Sequence, residues 1–338
     1  MKYYAGIDLH SNNHYIGIID QDGKKIFQKK LANDIDLLLS SLKPFKKYLK
    51  GIVVESTFNW YWLVDGLMDK GYKVHLANPN AIQQYNGLKY SDDKSDAFWL
   101  AEMLRLDILK EGYIYPKKIR GIRDLLRKRM LLVRYRTALM LSLKGMLFNL
   151  TGDALSRGEL QKITDEDIDG FFEDTHYKMS GRCLNDVIGE INNQIKKIEK
   201  TVLKKVRLTK DYKNLTSVPG IGDILSITIM LETGPIGRFL KAGNYSSYSR
   251  CVSSKRLSNN KNKGKGNAKN GNRYLAWAYV EASHFMKRFC LEAQRWHQRK
   301  KAKSGEIVAT KTLGNKIARA CYYIMRDKAL FDSKKLFH

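Results

Sequence analysis

The chain has 338 residues, 43% of them hydrophobic, enough for two domains or two plus a connector and too apolar for a disordered basic tail. Its 61 Lys and Arg against 34 Asp and Glu leave +27, a field that attracts polyanions, nucleic acid above all; a basic surface kept for solubility is the plainer alternative. Met1–His10 lacks a basic start followed by an apolar run, no stretch approaches ~18 apolar residues, and the four cysteines (Cys183, Cys251, Cys290, Cys321) form no CxxC pair, so a signal peptide, a membrane helix, a zinc ribbon and a disulfide framework are not expected, and a reducing cytoplasm is.

The first third alternates strands and helices. Tyr3–Asp8 and His14–Ile19 are short apolar or β-branched runs, and Asp22-Gly23 is a hairpin turn before a third strand at Lys25–Leu31. Asp34–Tyr48 reads as mainly helical, with Pro44 placed to kink or end it. Gly51–Glu55 is a buried strand, Trp60–Lys70 a helix, Tyr72–Ala77 a strand and Asp93–Leu104 a helix. Three hairpin-linked strands followed by βαβ units match the order of an RNase H-like α/β sheet, here assigned to residues 1–115.

Residues 116–210 change character. Leu125, Leu132, Leu139 and Met146 repeat every seven residues, with Leu126, Val133, Met140 and Leu147 one step on; Leu184, Ile188, Ile191, Ile195, Ile198 and Val202 alternate steps of four and three. That is a heptad seam, read either as a two-helix hairpin packing on itself or as a coiled coil joining subunits. Residues 211–338 read as a mainly α domain. It opens with Ser217-Val218-Pro219-Gly220-Ile221-Gly222 before a helix at Asp223–Glu232, a turn similar to a helix-hairpin-helix, in which Gly220 and Gly222 would bring backbone N–H groups to phosphate. A plain interhelix turn is the alternative. Residues 253–273 carry seven Lys or Arg, no acid and many Gly and Asn, so they form a loop suited to wrap phosphates through Lys255, Arg256, Lys261, Lys263, Lys265, Lys269 and Arg273; a surface insert is the plainer alternative. Helices at Tyr274–Arg288 and Thr312–Lys328 close the domain.

Four carboxylates stand where chemistry is expected. Asp8 ends the first strand, Glu55 ends a buried strand, and Asp93 and Asp96 lie three apart at a helix start, facing one side. Brought together they repel unless cations neutralise them, and hard oxygen donors suit two Mg²⁺ or Mn²⁺ ions, which stabilise the attacking and the leaving oxygen of a phosphodiester. Each piece alone has a blander use: a strand-end Asp as a turn residue, Asp93 or Asp96 as a helix cap, His10 as a surface histidine rather than an outer partner of the carboxylates, Trp60 and Trp62 as core. Asp92 competes with Asp93 as the ligand, and the spacing to Asp96 favours Asp93.

Taken together, GIDLH, VVEST, SDDKSDAFWLAE, SVPGIG with LETGPIGRF, and AKNGNRYL from Ala268 resemble, over nearly the full length, the insertion-sequence transposases with a DEDD carboxylate set on a RuvC-like domain, related to the Piv invertases. The resemblance implies that Asp8, Glu55, Asp93 and Asp96 bind Mg²⁺. It also implies a serine that attacks DNA to form a phosphoserine link, about ten residues after a tyrosine. Tyr248 fills the tyrosine place and Ser258 falls at the serine; Asn259 stands where the family has Gly, and Ser253 where it has Pro, so Ser253 and Ser254 remain rivals. A structured noncoding guide RNA, the DNA of element ends and target, and a homo-oligomer (dimer or tetramer), with the partner site supplied by another subunit, are the partners the resemblance implies. The alternatives are a metal-dependent nuclease or junction resolvase without a covalent step, a sugar-kinase or actin-like ATPase suggested by GIDLHSNNHYIGIID but lacking further glycine-rich loops, and a non-catalytic RNA-binding protein.

Overall fold

The computed structural model describes residues 1–79, 92–152, 155–206, 209–254, 256–264, 267 and 270–337. It divides into two compact units, Met1–Lys117 with Arg256–Asn270, and Lys118–Lys255 with Gly271–His338.

The first unit is built on a six-stranded mixed sheet of order β3-β2-β1-β4-β5-β6, formed by β1 (Tyr3–Leu9), β2 (Asn13–Asp20), β3 (Lys25–Ala32), β4 (Leu49–Glu55), β5 (Val74–Ala77) and β6 (Glu111–Gly112). β1, β2 and β3 run antiparallel in turn, while β1, β4 and β5 are parallel, which requires the helical crossovers that the sequence supplies. Strand alternation then assigns the two faces. Ala5, Ile7, Leu9, Ile16, Ile18, Ile52 and Val54 face one core, closed by α1 (Ile35–Leu42) and α2 (Tyr61–Asp69). Gly6, Gly17 and Val53 fall on the other face, beneath α3 (Asp93–Arg105). The helix expected across Asp34–Tyr48 stops at Leu42, because Pro44 cannot donate to a continuing ladder; a short 3-10 turn, Lys43–Phe45, then leads into β4.

The second unit is helical. α4 (Lys117–Thr151) and α7 (Thr175–Val206) form an antiparallel pair, joined by Arg129 to Glu199 and Arg136 to Asn192. Ile188, Ile195 and Val202 are its buried heptad line, opposite Leu126, Met140 and Leu147, so within the chain the seam serves a hairpin packing on itself. Between them lie the short helices α5 (Arg157–Leu160) and α6 (Asp165–Phe171). The C-terminal bundle holds α8 (Lys210–Thr216), α9 (Asp223–Thr233), α10 (Ala242–Tyr248), α11 (Arg273–Phe289), α12 (Leu291–Ser304), α13 (Glu306–Asp327) and α14 (Ser333–Phe337) around a core that includes Tyr245, Tyr279, Met286, Ile317 and Cys321. α12 escaped the sequence reading because it buries only Ala293 and His297, and α13 starts six residues before the expected Thr312. No described helix is long and apolar enough to cross a membrane.

Candidate metal and nucleic-acid site

The site grows out of a close helix-to-sheet contact. A Cβ on Gly6 would stand 2.0 Å from the carbonyl oxygen of Ala97 and 2.8 Å from the nitrogen of Ala101, and one on Gly17 would meet the Phe98 ring at 2.9 Å. Glycines below and small residues above therefore let α3 lie directly on β1 and β2. With Asp92 as N-cap, its Oδ1 accepting from Ser95 N at 2.8 Å and its own N–H donating to Ser95 Oγ at 3.0 Å, the register of α3 is set. The Asp92 carboxylate is committed to that cap. Asp93 and Asp96 lie in the first turn beyond it.

Asp8 shares the α3 face of β1 with Gly6, and Glu55 shares the same face of parallel β4 with Val53. Asp8 is only 3% exposed. Burial pushes its carboxyl up from the ordinary value; His10 pulls it back, and the charges of Asp96 and Asp93 push it further up. Burial, followed by Asp8 and Asp96, raises Glu55, and burial raises Asp96 against an opposing pull from His10. The chain thus brings Glu55, Asp93 and Asp96 within electrostatic reach of Asp8, with His10 beside it. Asp8 Oδ2 lies 3.1 Å from His10 Nε2, which lies 3.2 Å from Asp93 Oδ1; these three residues form a group whose ligand atoms could hold one ion. Asp8 Oδ2 is a buried oxygen without a hydrogen-bond partner among the described residues. A carboxylate left so, among like charges, fits a divalent cation.

His10 is placed with more care than a surface histidine needs. Its N–H donates to Asn13 O at 2.9 Å, and its carbonyl oxygen accepts from Asn33 Nδ2 and Asn59 Nδ2, each at 3.0 Å. The signal for it was in the sequence: Asp8 and His10 are two apart, hence on one face of an extended strand. Trp60 and Trp62 pack against the sheet core, as their blander reading has it.

The basic segment begins on a two-stranded hairpin, β7 (Leu257–Ser258) with β8 (Lys261–Asn262), in which Ser258 pairs with Lys261. Asn259 and Asn260 at the turn have φ of +50° and +57°, the left-handed pair of a type I′ turn. The asparagine where the resembled family has glycine therefore meets the same backbone demand, since Asn tolerates that region better than other L residues. Ser258, Arg256, Lys261, Lys263 and Arg273 are exposed, as is Ser253, while Ser254 is half-buried. Arg273 stacks over Tyr274. Lys255, Lys265 and Lys269, together with Ser91 and Ala268 of the quoted motifs, lie outside the described residues. In the SVPGIG turn, Gly222 is the exposed N-cap of α9. Gly220, at φ +89°, is needed for packing: a Cβ there would stand 2.5 Å from Met286 N.

Three matches to known proteins bear on this geometry. The IS110-type DEDD transposase model matches residues 5–150, which carry the four carboxylates, and the model described as "Transposase IS116/IS110/IS902 family" matches residues 212–299, which carry the SVPGIG turn and the basic hairpin. The transposase for insertion sequence element IS1111A of Coxiella burnetii is 23% identical over 301 residues, 84% of this chain and 77% of that protein. With two family models spanning more than two thirds of its length, and the acidic cluster that such enzymes load with a divalent metal, the chain belongs to the IS110-type DEDD transposases, enzymes that bind and rearrange DNA.

Proposed function

We propose that this transposase cuts and rejoins phosphodiesters with a two-ion carboxylate centre, formed by Asp8, Glu55, Asp93 and Asp96 on an RNase H-like, RuvC-like sheet. The observation that carries the reading is the orphaned, buried oxygen of Asp8 among carboxylates delivered by β1, β4 and α3. When bound, Mg²⁺ or Mn²⁺ would supply the charge that four carboxylates lack and that a phosphodiester gains as it reacts. Residues 1–115 provide the carboxylates, 116–210 a helical connector and 211–338 the transposase domain, from which the segment Arg256–Asn270 with the serine departs by grouping with the carboxylate unit.

Ser258 is the nucleophile of this reading. Its Oγ bonds to phosphorus as a deoxyribose oxygen leaves and takes up a proton, and attack by a DNA hydroxyl on the phosphoserine reverses the exchange, releasing the serine. The exposed hairpin position, the left-handed asparagine after it and the grouping of Arg256–Asn270 with the carboxylate unit support this assignment. The basic side chains Arg256, Lys261, Lys263 and Arg273, the neighbouring Lys255, Lys265 and Lys269, and the turn at Gly220 and Gly222 grip phosphate. A net charge of +27 without a recognisable base-reading motif suits a structured noncoding guide RNA that does the reading by base pairing. A homo-oligomer, dimer or tetramer, would let another subunit supply the partner site at the reacting phosphate.

Asp8→Asn, Glu55→Gln, Asp93→Asn and Asp96→Asn should each abolish strand cleavage in Mg²⁺ while leaving nucleic-acid binding in gel shifts intact. Asp92→Asn, which touches only the helix cap, should be far milder. Full cleavage by Asp8→Asn would refute the two-ion centre. In the wild type, mass spectrometry of a trapped reaction should find DNA attached to the Ser258 peptide, and Ser258→Ala should bind without forming the adduct. An adduct that persists there and vanishes in Ser253→Ala or Ser254→Ala moves the nucleophile, and no adduct in an active preparation favours a nuclease acting without a covalent step.

A further inference from the structure

We infer that His10 is itself a ligand of the metal, so that one of the two ion positions is a mixed site of one imidazole nitrogen and two carboxylate oxygens, suited to a first-row transition ion of the Mn²⁺ class over Mg²⁺. The inference rests on the carboxylate-centre reading above and deepens it.

The first support is distance. Two donors at right angles around one ion, each ~2.1 Å from it, stand ~3.0 Å apart. His10 Nε2 lies 3.1 Å from Asp8 Oδ2 and 3.2 Å from Asp93 Oδ1. The second is that the two atoms are buried together. Asp8 Oδ2 and His10 Nε2 are both buried atoms without a hydrogen-bond partner among the described residues, although they stand at hydrogen-bonding distance. A buried nitrogen and a buried oxygen that close, among like charges, suit a shared cation at one point in space. Asp8 brings a side chain only 5% exposed to that point.

The third support is orientation. A ligand must be held, and the His10 backbone is tied to Asn13, Asn33 and Asn59, which come from β2, the β3–α1 junction and the turn before α2. Asp93 is turned in the same sense: its Oδ2 faces Lys30 Nζ at 4.0 Å, leaving Oδ1 toward the imidazole. Imidazole is a better donor to first-row transition ions, Mn²⁺ included, than to Mg²⁺, which prefers oxygen alone, so a nitrogen here shifts the site's preference away from Mg²⁺.

Pulsed EPR of the full-length protein loaded with Mn²⁺ alone reads the proposed bond directly. Nitrogen modulation of the Mn²⁺ signal is expected, changing from the ¹⁴N to the ¹⁵N pattern when histidine is ¹⁵N-labelled and vanishing in His10→Gln. Competition should show His10→Gln losing about tenfold or more in Mn²⁺ affinity with little change for Mg²⁺. Mn²⁺ bound in the wild type without nitrogen modulation, or with modulation that survives His10→Gln, overturns the imidazole ligand and leaves the carboxylate centre standing. Unaltered Mn²⁺ binding by Asp8→Asn overturns the centre itself, and this inference with it. The labelled wild type gives its answer even if His10→Gln fails to fold.

Discussion

Gly6 has no room for a methyl group, because the atoms above it are the backbone of Ala97 and Ala101 and cannot rotate away. Gly6→Ala must lift α3 off the sheet. It should cost about 3 kcal/mol in urea denaturation, at the upper end for overpacking, and weaken metal binding along with it, since Asp93 and Asp96 ride on that helix. An unchanged midpoint would show that α3 does not depend on this contact. Asp8 tells the opposite story. A carboxyl whose folded pKa is raised favours the fold below the ordinary carboxylate range and costs stability once the pH passes the raised value. Asp8, Glu55 and Asp96 are all shifted that way. In EDTA at neutral pH, Asp8→Asn should therefore raise the melting temperature by a few degrees, about 1 kcal/mol for a chain of this size, while destroying cleavage. A lower melting temperature would mean that Asp8 is structural first.

Among the elements, α9 is held by a charge that sequence reading passed over. Glu232 is 2% exposed, and its carboxylate receives Arg127 Nε at 2.6 Å and Nη2 at 2.8 Å, Arg123 Nη2 at 3.0 Å and Asn272 Nδ2 at 2.7 Å. Asn272 is also the N-cap of α11, accepting from Tyr274 N and Leu275 N, and Arg127 lies over the Tyr274 ring. One buried carboxylate thus ties α4, α9 and the start of α11, where the chain leaves the basic loop. Although burial works against it, the arginines and Asn272 hold its pKa below the ordinary glutamate range. The stability this contributes is present above that range and is lost as the pH falls through the depressed value. Glu232→Gln keeps the shape but leaves two arginines facing no charge, and should cost about 3 kcal/mol in chemical denaturation at pH 7, less near pH 3. A loss equal at both pH values would assign the effect to packing alone.

At the scale of the whole molecule the dominant fact is +27. Phosphate contacts release counterions, so log affinity for duplex DNA should fall against log salt with a slope of roughly 0.9 per contact. Replacing Arg256, Lys261 and Lys263 together by Gln should flatten that slope by up to about 2.7 if all three touch phosphate, with little change in thermal stability, since all three are exposed. A slope unmoved by the triple substitution would take the hairpin out of the interface.

Composition, periodicity and turn chemistry were enough to place β1 to β5, α3, the long helical pair and the basic loop, because each is decided by neighbours in sequence: short apolar runs in β1 and β4, heptads in α4 and α7, a run of Lys, Asn and Gly without an acid in the loop. Asp8, Glu55, Asp93 and Asp96 were legible for the same reason, as strand ends and a first helical turn. Local order could not reveal which atoms meet. That His10 turns between Asp8 and Asp93, that Gly220 is spent on Met286 and that Glu232 gathers two arginines from over a hundred residues away all depend on contacts across the fold. Burial and unpaired polar atoms are properties of those contacts, and only the folded chain decides them.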